Sequence, residues 1–391
     1  MLRKIIATLC ITVIAAVSAK ADGYRVSLVT CYPGQIVYEL YGHTAIRIKN
    51  GNMDKAYNFG MFSFSKPNFI YRFVKGETDY ALAGYPFIYF MPEYIERNSK
   101  VVEQVLNLSQ RQAEELYRQL EWLSLPENRE YRYNYVLDNC ATRPRDMVEK
   151  VTGGIEYPQP ADTTLTFRRM MRSYSTNYPW YQFGIDLALG PGIDYRLDTR
   201  EQMFAPIYLM DAFQKAKFTD ENGNKVPLVK EKIVLYEGSE SPVLPPTPWY
   251  ISPLFAASVM LAIALGLTIR DLKTKKISRW FDFLWFMLAG LAGCLIFFLV
   301  FVSVHEATSP NYLAFWLNPF CLIVPALIFI KKLRKWLYFY HFINFAVVLI
   351  LLAVWPLLPQ SANTAFFPLM ACSIIRSANY VYIEKCARKS R

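Results

Sequence analysis

The chain has 391 residues, 53% of them hydrophobic, and a formal net charge of +11. That charge is uneven, because residues 22–248 hold 26 Lys and Arg against 28 Asp and Glu, whereas residues 249–391 hold 14 against 4. Basic residues beside apolar runs set orientation in a membrane, and the near-neutral remainder lacks the basic face that a nucleic-acid partner requires; nucleic acid is excluded as a partner.

In chain order, Met1–Ala21 has a basic start at Arg3 and Lys4, an apolar stretch from Ile5 to Val17 and a small-x-small site at Ala19-Lys20-Ala21. This is the pattern of a secretory signal peptide, and an uncleaved anchor would export Asp22 onward equally well. Tyr24–Ile48 reads as strands, and in His43–Ile48 the period of two puts His43, Ala45 and Arg47 on one face and Thr44, Ile46 and Ile48 on the other. Ala56–Phe64 follows as a strand after the turn at Asn50-Gly51-Asn52. Residues 57–94 carry 13 aromatics in 38 positions, far denser than a core usually needs. Ser109–Leu123 predicts a helix with Ser109 as its cap. A helix is expected to begin at Asp138-Asn139-Cys140 and run to Lys150. Helices near Leu165–Tyr174 and Thr199–Lys217 and a hairpin about Glu221–Asn224 complete the exported domain, 22–236. Four prolines make 237–248 a stiff linker.

The region 249–384 predicts about five spans: Trp249–Ile269, Trp280–Val302, Tyr312–Ile330, Trp336–Leu357 and, less apolar because of Arg376, Thr364–Ile383. Each is near the roughly 20 residues that cross ~30 Å of hydrocarbon. The connections Arg270–Arg279 and Lys331–Lys335 and the tail 385–391 are basic and fall in the cytoplasm, whereas Ser303–Asn311 and Pro359–Asn363 lack Lys and Arg. The chain is therefore expected in a bacterial inner membrane as a multi-pass protein with residues 22–236 on the periplasmic side. Arg376 is expected to snorkel or to mark a shifted helix boundary.

Chemistry narrows quickly. Of three histidines, His341 falls in the fourth span, leaving His43 and His305 outside; of seven cysteines, the exported domain keeps Cys31 and Cys140. A thiol at a helix start gains free backbone N–H groups and the helix dipole, which lower its pKa; Asn139 is a capping residue, and Arg143 and Arg145 add positive potential. A thiolate with an imidazole is the minimum for nucleophilic acyl transfer. His43 on a strand and Cys140 at a helix start match a papain-like layout in permuted order. Asn58 on the next strand is the first choice to orient the ring, Glu39 the second. A Cys31–Cys140 disulfide fits the same pair of cysteines in an oxidising compartment.

Tyr41-Gly42-His43-Thr44-Ala45-Ile46-Arg47 with Tyr57-Asn58-Phe59-Gly60, and Asp138-Asn139-Cys140-Ala141-Thr142-Arg143-Pro144-Arg145-Asp146, resemble the periplasmic domain of the Lnb-type lipoprotein N-acyltransferases, which several membrane spans follow. The resemblance implies an α+β fold: a circularly permuted papain-like domain, NlpC/P60- or LRAT-related, followed by an all-α bundle of about five transmembrane helices. It implies Cys140 as nucleophile and His43 as base, a phospholipid acyl donor, a diacylated lipoprotein acceptor and no cofactor or metal. Glu39, Arg47, Asn139, Arg143, Arg145 and, in an outer loop, His305 are the candidate substrate-binding residues. Two other readings stay open: a membrane-tethered cysteine hydrolase of a peptidoglycan peptide or lipid ester, and a non-catalytic assembly or transport protein.

Overall fold

The computed structural model describes residues 23–62, 67–241 and 245–389, and the expected signal segment Met1–Ala21 lies outside them. The described residues form two units that interleave in sequence. One comprises 23–62, 67, 78–163 and 197–241, the other 68–77, 164–196 and 245–389. Residues 68–77 and 164–196 fall within the range expected to form one exported domain, yet they pack in the second unit.

The first unit is built on nine strands: β1 Arg25–Cys31, β2 His43–Asn50, β3 Met53–Met61, β4 Asp79–Pro86, β5 Val101–Leu106, β6 Glu130–Arg132, β7 Lys217–Thr219, β8 Lys225–Pro227 and β9 Val229–Tyr236. Seven make one antiparallel sheet in the order β6-β4-β3-β2-β1-β5-β9, and β7 and β8 pair as a separate hairpin. Both faces of β2 are covered. Ile46 and Ile48 join Val26, Leu28, Tyr57 and Phe59 in a core with Leu116, Leu120, Val148, Leu209 and Phe213 from the helices. Ala45 packs on the opposite side with Val29, Cys31, Ala56, Phe87, Phe90 and Tyr94. Each fully buried large apolar side chain contributes about 1.5–3 kcal/mol, so a one-residue slip of β2 would exchange both sets at once.

The helix Gln110–Ser124 begins where Ser109 and Gln112 form a reciprocal capping box, and it ends at Leu125, held extended by the following Pro126. The helix expected over Thr199–Lys217 is two helices, Thr199–Gln202 and Pro206–Lys215. Ala205 is extended before Pro206, because proline cannot donate into the preceding turn and disfavours helical backbone just before it.

In the second unit three helices are long and apolar enough to cross a membrane, Pro253–Thr274, Arg279–Phe301 and Lys331–Leu357. Phe366–Lys389 is equally long but more polar. The third expected span is short and broken: Tyr312–Leu327 consists of 3-10 turns at Tyr312–Phe315 and Pro319–Leu322 and one α-turn, Ile323–Leu327. Pro319 and Pro325 remove the donors a continuous helix needs. Gly290 and Gly293 let this segment come close, for a Cβ at Gly293 would lie 2.4 Å from the Asn318 backbone.

Arg376 does not snorkel. It is fully buried, donating to both carboxylate oxygens of Asp282 (2.6 and 3.0 Å), to Asp271 (2.9 Å) and to Thr268 (3.0 Å). Residues 164–196 are tied down in the same manner. The buried Arg168 pairs with Asp186 and Asp194 and donates to the carbonyls of Leu189 and Gly190, and Arg172 bonds Asp186 and the Ala362 carbonyl.

Candidate active site

Cys140 stands two residues ahead of the helix Thr142–Thr152, on a turn that Asn139 builds. The Asn139 Oδ1 accepts from the backbone N–H of Ala141 (2.8 Å) and Thr142 (3.0 Å), while its amide nitrogen donates to the carbonyls of Tyr135 (2.9 Å) and Phe204 (3.0 Å). The Thr142 hydroxyl accepts from the Asn139 N–H at 2.8 Å. Asn139 is thereby buried with both ends of its amide engaged, and its work is to project Cys140. The helix therefore starts later than the sequence suggested.

The Cys140 sulfur accepts hydrogen bonds from the backbone of Thr44 and from its own backbone. That places the thiol by the start of β2. Gly60 forms the floor beside it. Its φ of +91° suits glycine, and a Cβ there would come 3.7 Å from both the Cys140 Cβ and the Tyr133 ring. The β3–β4 register shifts between Asn58 and Met61, a bulge of the kind that re-aims side chains beside functional sites.

His43 opens β2, and its Nε2 lies 2.5 Å from the Asn58 Oδ1. The Asn58 amide nitrogen donates to the Tyr85 hydroxyl at 3.0 Å, which turns the amide oxygen toward the ring. Nε2 therefore carries the proton, and Nδ1 keeps a lone pair. The ring lies nearly parallel to Tyr94, 6.5 Å between centroids, and Arg97 covers Tyr94 from 4.4 Å.

Electrostatics correct one expectation. Burial pushes the Cys140 thiol up to about 11, outweighing the two backbone hydrogen bonds that favour thiolate. Burial also holds His43 down at about 4, with the Arg97 charge acting in the same direction and the Asn58 hydrogen bond against it. The resting pair is a neutral thiol and a neutral imidazole, not the pre-formed thiolate the helix start suggested. Cys31 sits opposite His43 in the β1–β2 register, but both it and Cys140 are free thiols, so the disulfide alternative does not hold.

The other candidates are held by neighbours. Glu39 pairs with Arg97 at 3.2 Å rather than with the ring. Arg47 bonds Asp54 and Glu103 and stacks over Phe87 at 3.8 Å. Arg143 grips Asp138 through two bonds (2.5 and 2.7 Å) and lies 3.5 Å over Tyr131. Arg145 is buried, bonded to Asp146 and the Arg200 carbonyl. His305 belongs to the second unit, where its Nε2 lies 2.9 Å from the Phe73 carbonyl oxygen. Thr44, Gly60, Tyr85, Tyr94 and Tyr133 were not singled out as site residues in the sequence reading; only Thr44 and Gly60, within the two quoted strings, carried any signal. Among the described residues no three His, Cys, Asp or Glu side chains gather to hold a metal.

An α+β domain offering a half-buried thiol and imidazole, in one chain with membrane-length apolar helices, defines a membrane-bound protein with a candidate acyl-transfer site. The family model of the Lnb N-terminal periplasmic domain matches residues 15–172, and that of the Lnb transmembrane domain matches residues 246–388. The chain belongs to the Lnb family of lipoprotein N-acyltransferases, inner-membrane proteins with a periplasmic domain. Comparison with curated proteins and with solved structures gave no match.

Proposed function

We propose that this protein moves an acyl chain from a membrane phospholipid to the α-amine of a diacylglyceryl-cysteine lipoprotein, through a thioester on Cys140. The observation that supports the reading is the backbone hydrogen bond from Thr44 to the Cys140 sulfur, which brings the thiol to the strand whose first residue is His43, its ring oriented by Asn58. Family membership supplies the substrate classes. The chain order, with the histidine strand before the cysteine turn, supports a permuted papain-like fold, and the alternation of basic and uncharged connections supports five crossings with the site on the periplasmic side.

In the first half-reaction the Cys140 sulfur attacks the ester carbonyl of the phospholipid as its proton passes to the His43 Nδ1. The negative charge that develops on the carbonyl oxygen needs backbone donors, and the N–H of Cys140 is the natural first one. The tetrahedral intermediate breaks its C–O bond, the lysophospholipid oxygen takes the proton from His43, and the thioester remains. In the second half-reaction the lipoprotein amine attacks the thioester carbonyl and gives a proton to His43. Cleavage of the C–S bond leaves the amide, and the sulfur recovers the proton. The neutral resting pair fits this course, because the proton leaves sulfur only as the new bond forms.

Mass spectrometry of the purified protein mixed with phospholipid tests the reading. An acyl mass on Cys140, discharged by a diacylated lipopeptide to give an N-acylated product, is the expected outcome. Free fatty acid without transfer would favour a hydrolase. An unchanged protein mass together with full lipoprotein N-acylation by Cys140→Ala would overturn the proposal.

A further inference from the structure

Between β3 and β4, the strands that carry Asn58 and Tyr85, the chain leaves the first unit and contributes residues 68–77 to the second. There it forms one short helix, Phe69–Lys75. Three of its large apolar side chains are open to the surroundings: Ile70 is 78% exposed, Tyr71 53% and Phe73 51%. In water that density of exposed apolar surface on seven residues is unfavourable.

The helix is fastened to the end of the span Arg279–Phe301. The Val304 N–H donates to the Lys75 carbonyl at 2.8 Å, and the Ser303 hydroxyl donates to the Val74 carbonyl at 3.0 Å. His305 engages the Phe73 carbonyl and packs so closely on Gly76 that a Cβ there would lie 3.2 Å from its ring. The Tyr71 ring meets Phe298 edge-on at 6.0 Å. The span itself presents exposed Leu295, Phe297 and Phe301, and Val304 just beyond it is exposed as well. The helix thus extends the exposed apolar surface of a membrane-length span. Its basic residues stand where an interfacial helix places them: Arg72 donates to the Glu77 carbonyl, and Lys75 pairs with Glu77 at 2.7 Å.

We propose that Phe69–Lys75 is an interfacial helix that inserts Ile70, Tyr71 and Phe73 among the acyl chains of the phospholipid leaflet facing the 303–311 loop. The occupant is lipid rather than a second protein, because the exposed face is continuous with the lipid-facing surface of a span. This goes beyond the proposed reaction, for it would hold even if Cys140 carried no acyl group.

The test uses the full chain in phospholipid bilayers, with the exposed Cys294 and the partly exposed Cys140 and Cys386 replaced by Ala. Nitroxide labels on Ile70→Cys and Phe73→Cys are compared with labels on Leu295→Cys, as a membrane reference, and Glu114→Cys, as an aqueous one. We expect the ratio of oxygen to nickel-chelate accessibility at positions 70 and 73 to exceed the Glu114 value several-fold and to approach the Leu295 value. Ratios equal to the aqueous reference at both positions would overturn the proposal, as would labels immobilised and shielded from both agents.

Discussion

Removing Asn58 isolates what the amide does for the imidazole. In Asn58→Ala the Nε2–H of His43 loses its acceptor at 2.5 Å in surroundings that already disfavour charge. A neutral hydrogen bond contributes about 0.5–1.5 kcal/mol net, and leaving a buried donor unsatisfied costs about 1–3 kcal/mol. At 1.36 kcal/mol per tenfold, acyl-enzyme formation should slow by roughly 10- to 100-fold. The loss should fall on the chemical step, because the tautomer with a lone pair on Nδ1 is no longer selected. The pH dependence distinguishes this from a general loss of structure. The Asn58 bond raises the His43 pKa against burial, so its removal shifts the acid limb of the rate profile to lower pH. Asn58→Asp, which places a carboxylate against the ring, shifts that limb upward. Single-turnover measurement of the acyl mass on Cys140, from about pH 2.5 to 9, reads both effects. An Asn58→Ala protein with the unaltered rate and the unaltered acid limb would refute the reasoning.

Because burial sets Cys140 at about 11, its alkylation by iodoacetamide should be slow at neutral pH and rise about tenfold per pH unit up to that value; a plateau near pH 8, read by peptide mass spectrometry, would contradict it. His43 is held near 4 against an ordinary value of 6.5, so the unfolded chain binds the proton first. This contribution to stability is fully present above pH 6.5 and falls away, by about 3 kcal/mol, as pH drops to about 4. Thermal unfolding in detergent should therefore depend less on pH across that window in His43→Gln. Arg376→Met strands Asp271 and Asp282 in the interior and should cost about 3–5 kcal/mol; adding Asp271→Asn and Asp282→Asn should restore most of it, as a thermal-stability assay on the membrane protein would register.

What the sequence carried about the site was the identity of its polar residues and the pleat of β2. Alternation along His43–Ile48 separated Ile46 and Ile48 from His43 and Ala45, and the two cores divide that way. The ionisation of Cys140 was not legible. It depends on dense packing around the sulfur from β2, Gly60 and Tyr133, brought together from distant parts of the chain. Tyr85 and Tyr94 were hidden for a related reason: in a stretch so rich in aromatics, only register tells which ring faces His43. The ion pairs of Arg47 and Arg143 were not legible either, because their partners, Asp54, Glu103 and Asp138, are ordinary strand and turn acids until the fold pairs them.

The membrane region was misjudged at its polar residues, and the reason is energetic. A lone arginine in an apolar run suggests an escape to the interface, because a charge in hydrocarbon is costly unless it is paired. The partners of Arg376 lie at the edges of other apolar runs: Asp271 ends the first beside Arg270, and Asp282 begins the second just after Arg279. Read singly, each looks like loop solvation. Together they close a network in which Asp271 also accepts from the Ser278 N–H (2.8 Å), the Ser278 hydroxyl (2.5 Å) and Asn379 (3.0 Å). Every oxygen of that pair of carboxylates has a donor, and the helices Pro253–Thr274, Arg279–Phe301 and Phe366–Lys389 are joined at one point. Ser373 makes a neutral junction of the same kind, accepting from the indole nitrogens of Trp285 (3.1 Å) and Trp316 (2.9 Å), which anchors the broken third segment that Pro319 and Pro325 prevent from holding itself together as a helix.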